Sequence, residues 1–205
     1  MAIASSSHNT TLVDYLVPTR SRNGAIVRNT RLVLGFSLLL ALCAQVSFYL
    51  PFTPVPITLQ TFAVLLTGAA LGSRRGAIAM LVYLAEGAAG LPVFAGGFAG
   101  PAALVGPTAG YLWAFPIAAF VVGLLCERRL ERSYLTSVLA MLPGTLIIYA
   151  FGVSWLAVLL HLSPLKAINA GLVPFIPGDL LKLLVAAALL PTAWAILRLV
   201  HRDMK

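Results

Sequence analysis

LGSRRGAIAM, residues 71 to 80, sets two adjacent arginines, Arg74 and Arg75, between two long apolar stretches. Cations are costly inside a bilayer, and short loops rich in Arg and Lys gather on the cytoplasmic side of membrane proteins. The pair reads as a cytoplasmic boundary between two membrane-crossing helices, and the rest of the chain can be parsed outward from it.

Upstream, Leu32 to Ser73 contains no acid or base. Downstream, Gly76 to Cys126 contains only Glu86, and after Arg128, Arg129 and Arg132 a third block runs from Ser133 to Leu197 with Lys166, Asp179 and Lys182. Each block is too long for one crossing of about 20 residues. Each also holds one internal break rich in Gly and Pro: PFTPVP at 51–56, GAAGLPVFAGGFAGP at 87–101 and HLSPLKAINAGLVPFIPG at 161–178. Three blocks folded once predict six helices, at roughly 31–50, 57–72, 76–90, 107–126, 134–160 and 178–200.

Positive charge tests that count. Twelve of the 14 Lys and Arg flank the same side of this pattern, before helix one, between two and three, between four and five, and after six. Both termini are therefore expected in the cytoplasm. Composition agrees: 205 residues with 60% apolar, only 10% charged and a mean hydropathy of +0.96, against about 25% charged in a soluble domain. The expected architecture is an all-α integral membrane protein of six transmembrane helices over residues 31–205, preceded by a polar cytoplasmic arm, residues 1–30. No cleavage site follows the first apolar segment, so it is read as a retained helix.

Several chemistries are disfavoured. The net charge of +8 comes from residues at helix ends without an aromatic or Gly-rich nucleic-acid context. No GxxxxGK[ST] loop is present for ATP, and GVSWL at 152–156 lacks the second glycine of a serine-hydrolase elbow. His8, His161 and His201 are too scattered for a metal cage, no metal or cofactor is expected, and Cys43 and Cys126 read as small buried hydrophobes. What remains is a membrane protein that binds a small molecule.

Candidate ligand positions lie in the outer breaks. Asp179 and Lys182, in PFIPGDLLKLLVAA, share a helix face at i,i+3. They are either a helix start with a snorkelling lysine or a polar ligand clamp. Residues 91–113 mix Gly and Pro with Phe94, Phe98, Tyr111 and Trp113, which suits either a tight turn or a ligand wall. Thr58 and Gln60 either cap helix two or face a cavity. Glu86 reads as reaching the headgroup region, and His161 and Lys166 as solvated loop residues.

PVPITLQTFAVLLTGAALGSRRGA, GLPVFAGGFAGPAALVGPTAGYL and PFIPGDLLK, in this order and spacing, resemble the BioY family, the biotin-specific S components of energy-coupling factor (ECF) transporters. The likeness covers about residues 31–200, with Glu86 where an apolar residue is expected. It implies a six-helix S-component fold in a prokaryotic plasma membrane, a biotin-binding subunit and no enzyme, partnered by a T component and two ATPases. A subunit for another vitamin, a membrane-embedded enzyme or a structural subunit are the alternatives. It further implies that Asp179 and Lys182 clamp biotin, that Phe94 and Tyr111 pack its rings, and that Gly96, Gly97, Thr108 and Gly110 bring backbone and a hydroxyl close. Small residues of helix one, here Ser37, Ala41 and Ala44, are the implied docking face.

Overall fold

The structure, a computed structural model, describes residues 11–17, 19, 21–128, 130 and 133–203. Residues 1–10 of the expected arm and the topology markers Arg20, Arg129, Arg132 and Lys205 lie outside the described residues. The elements are α1 (Leu12–Leu16), α2 (Arg22–Gln45), β1 (Ser47–Phe48), β2 (Ile57–Thr58), α3 (Gln60–Leu71), α4 (Ser73–Ala88), α5 (Ala109–Cys126), α6 (Tyr134–Leu159), α7 (Pro164–Gly171) and α8 (Ile176–Asp203). The protein is an all-α integral membrane protein; among the described residues the one strand pairing is a two-residue antiparallel pair, Ser47 with Thr58 and Phe48 with Ile57, which closes the hairpin around PFTPVP.

Among the described residues, four segments are long and apolar enough to cross a membrane: α2, α5, α6 and the stretch from α7 into α8. Apolar side chains cover these helices all round, as expected where the solvent is lipid. On α2 the buried residues are Ser37, Leu40, Ala41 and Ala44, whereas Leu34, Leu38 and Leu42 on the outside are 50–60% exposed. Three small residues and Leu40 pack inward while the other leucines named face outward, and the small side chains let backbones approach closely. The same logic places α5 at the centre, against α3, α4 and α6. A Cβ on Gly68 of α3 would lie 2.5 Å from the Ala119 carbonyl of α5.

Three boundaries differ from the sequence expectation. Arg74 and Arg75 are not in a loop but in the first turn of α4, because Gly72 turns the chain in one residue with φ of 84°. Glu127 then accepts from the Ser73 amide at 2.7 Å and the Ser73 hydroxyl at 2.8 Å, holding the start of α4. The polar arm is also shorter than 1–30. Ser21 caps α2 at Gly24, so residues 22–30 continue the first membrane helix, and Leu12 and Val13 of α1 are buried in the common core. Finally, the connection after α6 folds into α7 and a 3-10 turn, Val173–Phe175, and α8 starts at Ile176, ahead of Asp179.

Candidate functional site

The starts of α3, α5 and α8, the middle of α6 and the connections before α3 and α5 surround a cavity of about 410 Å³ with mainly apolar walls. Asp179 and Lys182 project into it from the first two turns of α8. Lys182 Nζ donates to Asp179 Oδ1 at 2.6 Å and to the Thr58 carbonyl at 2.6 Å. Thr61 Oγ1 donates to Asp179 Oδ1 at 3.1 Å, and the Tyr149 hydroxyl to Oδ2 at 2.5 Å. The Asp179 side chain is 6% exposed and that of Lys182 13%. An unpaired carboxylate so placed costs several kcal/mol; a cation and two hydroxyls on it offset much of that. These partners are side chains from three helices. Sequence left a helix start and a ligand clamp open for this pair; the carboxylate's hydrogen bonds go to these side chains and it forms part of the cavity wall.

Thr58 and Gln60 do both things expected of them. Thr58 Oγ1 accepts from the Gln60 amide at 3.2 Å where α3 starts, and both residues line the cavity. Gln60 Nε2 donates to the Tyr83 hydroxyl at 2.8 Å, and Tyr83 donates on to the Val93 carbonyl at 3.0 Å. That relay fixes the Gly-rich connection after α4. Its Phe94, 3% exposed, meets Tyr83 edge-on at 5.5 Å and forms part of the wall. Gly87 makes room for this ring, since a Cβ there would lie 2.1 Å from Phe94 Cζ. Trp155 Nε1 pins the second half of the connection through the Gly106 carbonyl at 2.9 Å.

Tyr111 and Thr108 also line the cavity. The Tyr111 hydroxyl donates to the Gly171 carbonyl at 2.7 Å, which turns its ring toward the space, while Thr108 makes no side-chain bond to the helix it begins. The glycines behave differently from the expectation. Gly110 faces α6: a Cβ would lie 2.3 Å from Trp155 Cβ and 2.6 Å from the Phe151 carbonyl. It permits helix contact rather than ligand approach. Gly96 and Gly97 adopt φ of 71° and 75° in the turn behind Phe94, with Gly96 against the Tyr49 hydroxyl; neither is among the lining residues.

Ser37, Ala41 and Ala44, implied as a docking face, are instead buried at 0–7% exposure inside the bundle. Ser37 donates a short hydrogen bond to Glu86 of α4, so Glu86 is tied to the α2 and α4 seam and not simply extended to the headgroups. His161 and Lys166 are exposed, as read from the sequence. The sequence reading missed Tyr149 and Thr61. A hydroxyl-bearing ring within the Leu-rich run of α6, and a threonine one residue after Gln60, were the available signals. Among the described residues, no three His, Cys, Asp or Glu side chains lie close enough to hold a metal ion.

The BioY family profile matches residues 10–199. The biotin transporter BioY of Thermotoga maritima is 45% identical over 152 residues, covering 74% of this chain and 87% of that protein. The biotin transporter BioY of Rhizobium etli is 45% identical over 147 residues, 68% of this chain and 78% of that one. Among solved structures, the crystal structure of the S-component for biotin from an ECF-type ABC transporter superposes with a TM-score of 0.76 at 26% identity, covering 85% of this chain and 94% of the other. A bundle of this architecture, a buried Asp179 paired with a partly buried Lys182, and a match spanning nearly the whole chain together place this protein in the BioY family.

Proposed function

We propose that this chain is the substrate-binding S component of an energy-coupling factor transporter and that it captures biotin. The observation that carries the reading is the Asp179 and Lys182 pair on the wall of the cavity, 6% and 13% exposed in otherwise apolar surroundings. Biotin combines an apolar bicyclic body with a ureido group that offers N–H donors and one carbonyl, and a carboxylate tail. Asp179, as a carboxylate, only accepts and suits the ureido N–H; Lys182 only donates and suits the ureido carbonyl or the tail. Phe94 and Tyr111 supply flat walls for the rings.

The reading makes the chain a transporter subunit, with the driving ATPases on partner proteins joined through a T component. The charge asymmetry supports both termini in the cytoplasm, six crossings and a plasma-membrane location. The clustering of Asp14, Arg28 and Arg75 at the bundle end that carries the α3 to α4 turn is consistent with that orientation.

Direct titration tests it. Detergent-purified protein is expected to bind biotin saturably without chemical turnover, and desthiobiotin, which keeps the ureido ring, should displace it better than lipoate does. Removing a ureido partner leaves a buried polar group unpaired at about 1 to 3 kcal/mol, so the difference should approach tenfold or more. Saturable binding of another vitamin in place of biotin would reassign the ligand.

A further inference from the structure

Asp179 keeps an acceptor position beyond those that its described neighbours use. A carboxylate has about four acceptor positions, two on each oxygen. Oδ1 is taken twice, by Lys182 Nζ at 2.6 Å and Thr61 Oγ1 at 3.1 Å, and Oδ2 once, by the Tyr149 hydroxyl at 2.5 Å. Among the described residues no further donor reaches the carboxylate, so one position, on Oδ2, is left. Lys182 has three N–H donors, two of them spent on Asp179 and the Thr58 carbonyl, so one donor remains beside it. The clamp thus offers a ligand one acceptor and one donor, side by side.

We infer that Tyr149 is the positioning residue of this site: by occupying one side of Asp179 Oδ2 from α6, its phenol fixes the carboxylate plane so that the single unfilled acceptor faces the cavity and takes one N–H of the ligand. The inference rests on the biotin reading, because the N–H donors of biotin lie only on its ureido group. Tyr149 is suited to the task. It is 9% exposed and lines the cavity. Its hydroxyl is a donor that reaches a carboxylate 30 residues away in sequence. Tyr111, the neighbouring phenol, is spent on the Gly171 carbonyl and leaves Asp179 to Tyr149. Without the Tyr149 hydroxyl, the Asp179 carboxylate retains Lys182 and Thr61 on Oδ1 but loses the contact that orients Oδ2.

The test uses Tyr149→Phe, which keeps the ring and removes the donor, in the full-length detergent-purified chain. Affinities for biotin and for a biotin methylated on both ureido nitrogens are measured on the same sample, so their ratio does not depend on the folded fraction. Loss of an orienting hydrogen bond to a charged group should lower biotin affinity about tenfold, leave the methylated analogue nearly unchanged, and so shrink the ratio about tenfold. In an Asp179→Asn background the Tyr149→Phe effect should largely vanish, because the two residues act as one unit. An unchanged ratio overturns the inference, and so does an undiminished Tyr149→Phe loss in the Asp179→Asn background, which would mean direct contact between phenol and ligand. If the unaltered protein does not bind biotin, it is the functional reading that fails.

Discussion

Two carboxylates, one near each end of the bundle, are held by similar partners and come out differently. Asp14 of α1 accepts hydrogen bonds from Arg75 on both oxygens, at 2.7 Å and 2.6 Å, and from Thr11 at 2.8 Å on Oδ2, and the Arg28 guanidinium lies 3.0 Å from Oδ1 as a second ion-pair partner. Two guanidinium groups and a hydroxyl of its own chain surround it, and it is not among the residues that line the cavity. Asp179 has a lysine, a threonine and a tyrosine, and one position unfilled toward a cavity. A carboxylate shared by two arginines is a tie between helices, whereas one with a single cation and an open valence toward an apolar enclosure is a place for a ligand. The partners, more than the charge, separate architecture from recognition.

The sharpest way to break the comparison is to remove each carboxylate in turn. Asp179→Ala and Asp179→Asn should both weaken biotin binding, by roughly tenfold to a hundredfold, since a charge-assisted bond is worth about 1.5 to 3 kcal/mol. Asp14→Ala should leave the titration curve where it was. Normal affinity in Asp179→Asn would reduce the outer pair to helix architecture.

The converse effect is smaller and appears in ligand-free unfolding. Arg75→Ala removes both donors of a bidentate contact that joins α1 to α4, together with a bond to the Leu71 carbonyl. The pair is only partly buried, at 16% and 23% exposure, so a loss of about 1 kcal/mol is expected and the unfolding midpoint should drop by a few degrees. Biotin affinity should not follow it. A variant that loses affinity as well would show that the two ends are coupled.

The smallest expected effect is in acid. Burial acts to raise the Asp14 carboxyl, but the hydrogen bonds from Arg75 and Thr11 and the charges of Arg75 and Arg28 carry it below its ordinary value. A depressed folded value means the contribution is whole above the unfolded value of about 3.9 and fades as pH falls through the folded one. The difference in unfolding midpoint between the native protein and Asp14→Asn should therefore be constant from neutral pH down to about pH 4 and narrow below it. A difference that stayed constant through that acid range would remove Asp14 as the titrating tie.

How far the site was legible depended on how local its chemistry is. Asp179 and Lys182 could be paired from spacing alone, because i and i+3 share a helix face whatever surrounds them. Phe94 and Tyr111 stand out by the composition of the middle outer break, Thr58 and Gln60 by their place at a helix start, and Thr108 by the family resemblance; all five line the cavity. Gly110 and the small residues Ser37, Ala41 and Ala44 were placed on the wrong surface. A glycine that admits a ligand and one that admits a neighbouring helix look identical in sequence, and Trp155, 45 residues after Gly110, decides between them. Glu86 shows the same limit, since its partner Ser37 lies 49 residues away.

The sequence by itself determined the membrane class, because uninterrupted apolar blocks bounded by arginines admit little else, and it determined the order of the long helices, because the Gly and Pro breaks are local signals. Only the tertiary structure decided which side of each helix looks inward. A membrane helix is apolar all round, so its sequence lacks the polar and apolar faces that orient helices in water. The same fact hid Tyr149 and Thr61. Their roles exist only once α6 and α3 bring them to a carboxylate 30 and 118 residues further along the chain, where packing leaves that carboxylate one valence short of saturation.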